Sequence, residues 1–180
     1  ILIMLQDFNR PYHWVGVEKI RQDYENMFAG RIKARFVTAI IDICQIHGQD
    51  VEMISTLSSQ SNGMFADVFH PRFIAAMIRL GDLLDLDNNR FSNEFELSMH
   101  KKDNLIPYLS KLHYLKHESI TNFLITPTHI DIEASCTGDD ALALSVAREI
   151  YNWLHWLEND CLYLKKEWDT IAQRDFGTAP

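Results

Sequence analysis

Val146, Ile150, Trp153, Leu157, Cys161, Leu164, Trp168 and Ile171 follow one another in steps of three and four residues near the carboxyl end of the chain. Steps of that size keep side chains on one face of an α-helix, so a single apolar stripe runs along a very long helix. Such a helix owes its stability to whatever covers the stripe. The cover is the chain's own core, a neighbouring domain or a second subunit, and the stripe itself does not choose. Trp156 and Tyr163 lie off it. Thr137, Gly138, Asp139 and Asp140 resemble the start of a capping box, which places the helix from there to about residue 173.

The remainder of the chain reads as further helices. Only seven glycines and five prolines occur in 180 residues, a scarcity that favours long helices over a turn-rich sandwich. With 47% hydrophobic and 23% charged residues the chain is a folded one and not a disordered one. The periodicity predicts a helix over 12–28, with Trp14, Val17, Ile20, Tyr24, Met27 and Phe28 on its face and Pro11 suiting its first turn. A second runs over 32–46 through Phe36, Ile40, Ile43 and Ile46, with Ala39 beside them, and stops at His47-Gly48, where Gly suits a left-handed cap. Residues 51–67 are polar and read as a loop with one short helical turn. A third helix starts at Pro71 and runs to 86, its face formed by Phe73, Met77, Leu80, Leu83 and Leu84, until Asp87-Asn88-Asn89 stops it.

Beyond that helix the period changes. Phe95, Leu97 and Met99 alternate with polar residues, as in a short strand, and 105–117 is helical again. Ile130, Ile132 and Ala134 alternate with Asp131, Glu133 and Ser135, and the preceding 122–126 is apolar and β-branched. Pro127-Thr128 between the two runs predicts a hairpin, which needs helices to lie on. The expected fold is therefore mainly α, a helical bundle with a small antiparallel β-hairpin and a long C-terminal helix.

Charge and composition also exclude functions. The net charge of −8 argues against a general binder of nucleic acid or anionic membranes. No stretch approaches the ~18 apolar residues of a membrane span. Cys44, Cys136 and Cys161 are odd in number and widely spaced, as in the reduced thiols of a cytoplasmic protein. Cys44, between Ile43 and Gln45 in an apolar helix, reads as inert packing and not as a nucleophile. The chain opens on Ile1 and is expected to be an excerpt of something longer. A glycine-rich phosphate loop, a GxGxxG fingerprint and a nucleophile elbow are all missing from it.

Three polar residues fall where helices are buried or ending: His13, His47 and Asp82. Asp82 has apolar neighbours on both sides in Ile78-Arg79-Leu80-Gly81-Asp82-Leu83-Leu84, and a carboxylate in such surroundings needs a cation or strong donors. A divalent metal shared with imidazoles is one answer; an ion pair with Arg79 or an arginine of another helix is the other. Asp85, Asp87, Asn89, Asn93 and Glu96 match oxygen positions of a calcium loop, but Arg90 occupies the position that such a loop gives to glycine. His113 and His117, four apart on one helix, have the spacing of two metal ligands, while Lys116 and His117 equally suit a basic face turned to a phosphate, or a structural one.

The order of these segments resembles the HD superfamily, all-helical domains that are mostly metal-dependent phosphohydrolases. The resemblance is carried by Arg10-Pro-Tyr-His13-Trp-Val-Gly-Val-Glu-Lys-Ile20, by Ile40-Ile-Asp-Ile-Cys-Gln-Ile-His47-Gly48, and above all by Arg79-Leu80-Gly81-Asp82-Leu83-Leu84-Asp85-Leu86-Asp87-Asn-Asn-Arg90. Ser110-x-x-His113-Tyr-x-Lys116-His117-x-x-Ile120, the hairpin and the long helix look like the subfamily fused ahead of a GHKL-type ATPase domain. On this resemblance residues 1–95 form the HD-like core of a single domain, and 96–180 carry the hairpin and long helix. Asp82 would be the last metal-ligating aspartate, His13 and His47 the two intermediate histidines, and Arg79 and Arg90 would lie near the metal or its phosphate. The implied cofactor is a divalent metal (Mn, Mg, Fe or Zn). The implied activity is hydrolysis of a phosphomonoester, phosphodiester or nucleotide, and the implied partners are a phosphorylated small molecule or nucleotide and an ATPase domain in the same protein; a second copy of the chain is a partner that only the apolar stripe leaves open. The alternative is a non-catalytic regulatory or nucleotide-sensing module coupled to that ATPase. The adjacent His-Asp pair that names the superfamily does not occur in the sequence and is expected ahead of Arg10.

Overall fold

In a computed structural model of the chain, the structure describes residues 34–62, 68–86 and 108–172. Helix α1 (Ala34–Ile46) leads into a 3₁₀ helix (Val51–Thr56), followed by the short strands β1 (Ser61–Asn62) and β2 (Val68–Phe69). Then come helices α2 (Pro71–Leu83) and α3 (Tyr108–Ser119), strands β3 (Ile120–Ile125) and β4 (Ile130–Ala134), and helix α4 (Asp140–Ala172). The fold is mainly helical, with the antiparallel hairpin and the long C-terminal helix that the sequence predicts. The helix expected over 12–28 and the alternating segment around Phe95, Leu97 and Met99 lie outside the described residues. Among the described residues, no helix is long and apolar enough to cross a membrane.

Helix α4 begins where its cap dictates. The Leu142 N–H donates to Asp139 Oδ1 at 2.8 Å, so Asp139 is the N-cap and satisfies one of the donors that a helix start leaves without an intrahelical partner. Leu142 stands where a capping box has Glu or Gln, so only half of that box forms. Gly138 precedes the cap with φ of 132°, a backbone conformation that side chains with a Cβ avoid. Asp139→Ala is expected to cost about 1 kcal/mol of stability in urea unfolding, and Asp139→Asn to restore it; equal loss from both would show that the cap is not the source. Along the helix, Val146, Ile150, Trp153, Leu157, Leu164, Trp168 and Ile171 are all buried. Cys161 is only half-buried, and its neighbour Asp160 takes the deep position instead, 3% exposed.

The chain divides into two compact units, one of residues up to Asp82 together with those from Asp160 onward, the other Leu83–Asn159. In the first unit, α1 buries Val37, Ile41 and Ile43. The predicted face of Phe36, Ile40, Ile43 and Ile46 is thus rotated: Ile40 is 44% exposed, while Phe36 and Ile46 are half-buried. Phe36 packs sideways, its ring 5.6 Å from that of Phe69 in β2. Val51, Ile54 and Leu57 are buried at the three-residue spacing of the 3₁₀ helix. β1 and β2 pair antiparallel, Ser61 with Phe69 and Asn62 with Val68. Helix α2 starts with Pro71 in its first turn, where the missing N–H costs nothing, and buries Pro71, Ala75, Ala76 and Leu80. It ends at Leu83 and not at 86 as predicted. Phe73 meets Trp168 of α4 edge-on at 5.9 Å. Arg72 Nε donates to the Leu57 carbonyl at 2.7 Å and Nη1 to that of Thr170 at 3.4 Å, which ties α2 to the 3₁₀ turn and to α4.

In the second unit, α3 passes directly into β3. Ile125 pairs with Ile130 and Phe123 with Ile132 on one hairpin face, while Leu124 faces Asp131 and Asn122 faces Glu133 on the other. The tip is closed by the Thr126 N–H donating to the His129 carbonyl at 2.9 Å and by the His129 N–H donating to Thr126 Oγ1 at 3.0 Å. Ile120 is buried at the base, yet Phe123, Leu124 and Ile125 are exposed. Trp153 of α4 anchors this unit, its indole Nε1–H donating to the Leu83 carbonyl at 2.9 Å.

Candidate functional site

The best-defined polar construction in the first unit is centred on Arg79 of α2. Its Nε donates to Asp160 Oδ2, and Nη2 donates to Asp160 Oδ1 at 3.1 Å. Nη1 donates to the His47 carbonyl at 2.9 Å and also to that of Gln49. The two carbonyls lie just past the end of α1, a place where a helix leaves acceptors unsatisfied and where its dipole favours a cation. The bidentate fork on a carboxylate is the strongest geometry available to a guanidinium. The pair is well shielded, with the Arg79 side chain 15% exposed and that of Asp160 4%.

Around this clamp lie two of the three metal ligands that the resemblance implies. His47 is buried, and its own peptide carbonyl is the one Arg79 holds. Asp82 follows Arg79 by one helical turn, on the same side of α2, and it is exposed. The expectation of a sunken carboxylate is therefore corrected. Its sequence neighbours Gly81 and Leu83 project about 100° away on a helix and do not enclose it, and Gly81 beside it is exposed as well. His13 and Arg90, named with them from the sequence, lie outside the described residues. Of the calcium-like positions Asp85 is described and half-buried; Asp87, Asn89, Asn93 and Glu96 lie outside.

The second unit holds Lys116 and His117. Both are buried, at 6% and 2% exposure, where a phosphate-facing basic surface would have them open. The Lys116 ammonium lies 5.5 Å from the centre of the Trp153 ring, a cation–π arrangement. The His113 and His117 rings stand edge to face with centres 4.7 Å apart, as their spacing on one helix face requires. The Tyr114 hydroxyl donates to Glu118 Oε1 at 2.6 Å.

Among the described residues, no three His, Cys, Asp or Glu side chains come together as a group that could hold a metal ion. An imidazole and a carboxylate are suitable donors, but His47 and Asp82 do not make up a coordination sphere, so the described residues by themselves do not fit a divalent ion. Burial pushes the Cys44 thiol above its ordinary value, and burial followed by the Asp160 charge does the same to Cys161. The folded chain thus favours the protonated thiols. Their contribution to stability is whole below the ordinary value of 9.0 and is lost as pH rises through the raised folded values. Neither is an activated nucleophile.

Asp160 has no assigned role in the sequence reading, although a signal for it exists. It stands three residues after Leu157 and four before Leu164, which puts a carboxylate on the most apolar face of the chain. The sequence model of the HD-CE family matches residues 10–161. No curated protein and no solved structure matches the chain.

Proposed function

The chain belongs to the HD-CE family, and on that premise we propose that it is an HD-type phosphohydrolase-like domain acting on a phosphorylated small molecule or nucleotide. The observation that carries this reading is the Arg79 clamp: one guanidinium fixes the His47 peptide and precedes Asp82 by a single turn of α2. Two residues expected to ligate a divalent ion thereby belong to elements held in one fixed relation. A further ligand would come from His13, and a His-Asp pair, if the protein has one, would have to lie outside these 180 residues.

A second reading is favoured by a different observation. Phe123 and Ile125 on one face of the hairpin, Leu124 on the other, and Leu144 and Tyr151 of α4 are exposed apolar groups in one unit. They support a regulatory module that docks on a neighbouring ATPase domain or on a second copy. Elemental analysis of the purified full-length protein, paired with assays on p-nitrophenyl phosphate, its diester and nucleotides, separates the two. Near-stoichiometric transition metal with turnover is the expected result. A folded protein with neither metal nor turnover, when loaded with Mn²⁺ or Mg²⁺, would leave the regulatory reading standing.

A further inference from the structure

We infer that Asp160 is a positioning residue for the candidate site, acting through Arg79 on His47; the inference rests on the phosphohydrolase reading for its kinetic consequences but not for its structural one. Asp160 is among the least exposed polar residues of the chain and meets Arg79 with both carboxylate oxygens. That fork sets the plane of the guanidinium. With Nε and Nη2 committed to the carboxylate, the Nη1 protons point at the His47 and Gln49 carbonyls. A guanidinium that lost its buried counter-charge would turn toward water. The peptide that carries His47 would then lose the Arg79 donor and the α1 terminus would loosen. The His47 ring rides on that peptide, so its placement follows the carboxylate on α4.

A purely structural clamp is available for comparison in the same unit. Arg72, on the same helix, also bridges to α4 and to a loop carbonyl, but its acceptors are Leu57 and Thr170, not His47. Asp160→Asn removes the counter-charge while keeping the shape, Asp160→Glu keeps the charge and moves it by one methylene, and Arg72→Met removes the other clamp. The readouts are the His47 ring resonance in histidine-labelled protein at one fixed pH, assigned through His47→Gln, the melting temperature, and kcat with KM for p-nitrophenyl phosphate.

Asp160→Asn is expected to displace the His47 resonance and to lower kcat by about 100-fold, the cost of misplacing a reacting group by roughly 1 Å, with KM little changed. Asp160→Glu should give a smaller displacement in the same direction. Arg72→Met should lower the melting temperature but leave resonance and kcat at their wild-type values. An unmoved His47 resonance in Asp160→Asn, or an equal displacement in Arg72→Met, overturns the inference. Should Asp160→Asn not fold, Asp160→Glu decides by the same resonance. If the wild-type protein turns over no phosphoester, the phosphohydrolase reading fails by itself and the resonance still decides the role of Asp160.

Discussion

Asp82→Ala is expected to lower phosphoester turnover by about a thousandfold or more, as loss of a residue at the reacting centre does, while the protein remains folded. Asp82 is exposed, so its removal leaves no cavity in the core. A melting curve recorded beside the kinetics tells the loss of a reacting group from the loss of the fold. His47→Ala is the poorer probe, because His47 is buried and its removal also leaves a cavity at the end of α1. Metal content should fall in Asp82→Ala in step with the rate. A variant that retains both its metal and its rate would remove Asp82 from the site, and the assignment of His47 with it.

How much of this was legible before any coordinates depends on whether the signal is local. The stripe from Val146 to Ile171 repeats many times, so one misread position does not move the helix. The hairpin is legible for a related reason: an apolar β-branched run and an alternating one flank Pro127-Thr128, while the register that pairs Phe123 with Ile132 and Ile125 with Ile130 comes from the structure. Helix α1 is different. Phe36 with Ile40 and Val37 with Ile41 are adjacent apolar rows of equal spacing, and only tertiary packing selects the second. β1 and β2 are too short to carry a pattern at all. The candidate site suffers from a sharper problem. Judging Asp82 by its chain neighbours treats a helix as if adjacent residues faced each other, whereas the enclosing groups are three and four positions away. Asp160 is the mirror case, because its positions three before and four after are Leu157 and Leu164. The same reasoning about a carboxylate among apolar groups, applied along the helix period, selects Asp160. Reading Cys161 as the stripe member hides it.

Arg79→Met is expected to be the most damaging single substitution for stability, at about 3–5 kcal/mol from the stranded Asp160 charge with more from the His47 and Gln49 carbonyls, each of which costs about 1–3 kcal/mol if left buried without a donor. Asp160→Leu should cost less, because the guanidinium it leaves behind is 15% exposed against 4% for the carboxylate and can turn to water, whereas the carboxylate stranded by Arg79→Met cannot. The double variant separates the terms. Replacing both charges by apolar groups removes the uncompensated charge, and such exchanges are often close to neutral. The two carbonyls, however, still lack their donor, so the double variant should lie below wild type by roughly the carbonyl cost and above Arg79→Met. Urea unfolding of the four proteins measures this directly. Single costs that simply add would mean that the two side chains stabilise the fold independently, and the clamp would then be an ion pair of no more consequence than those on the surface.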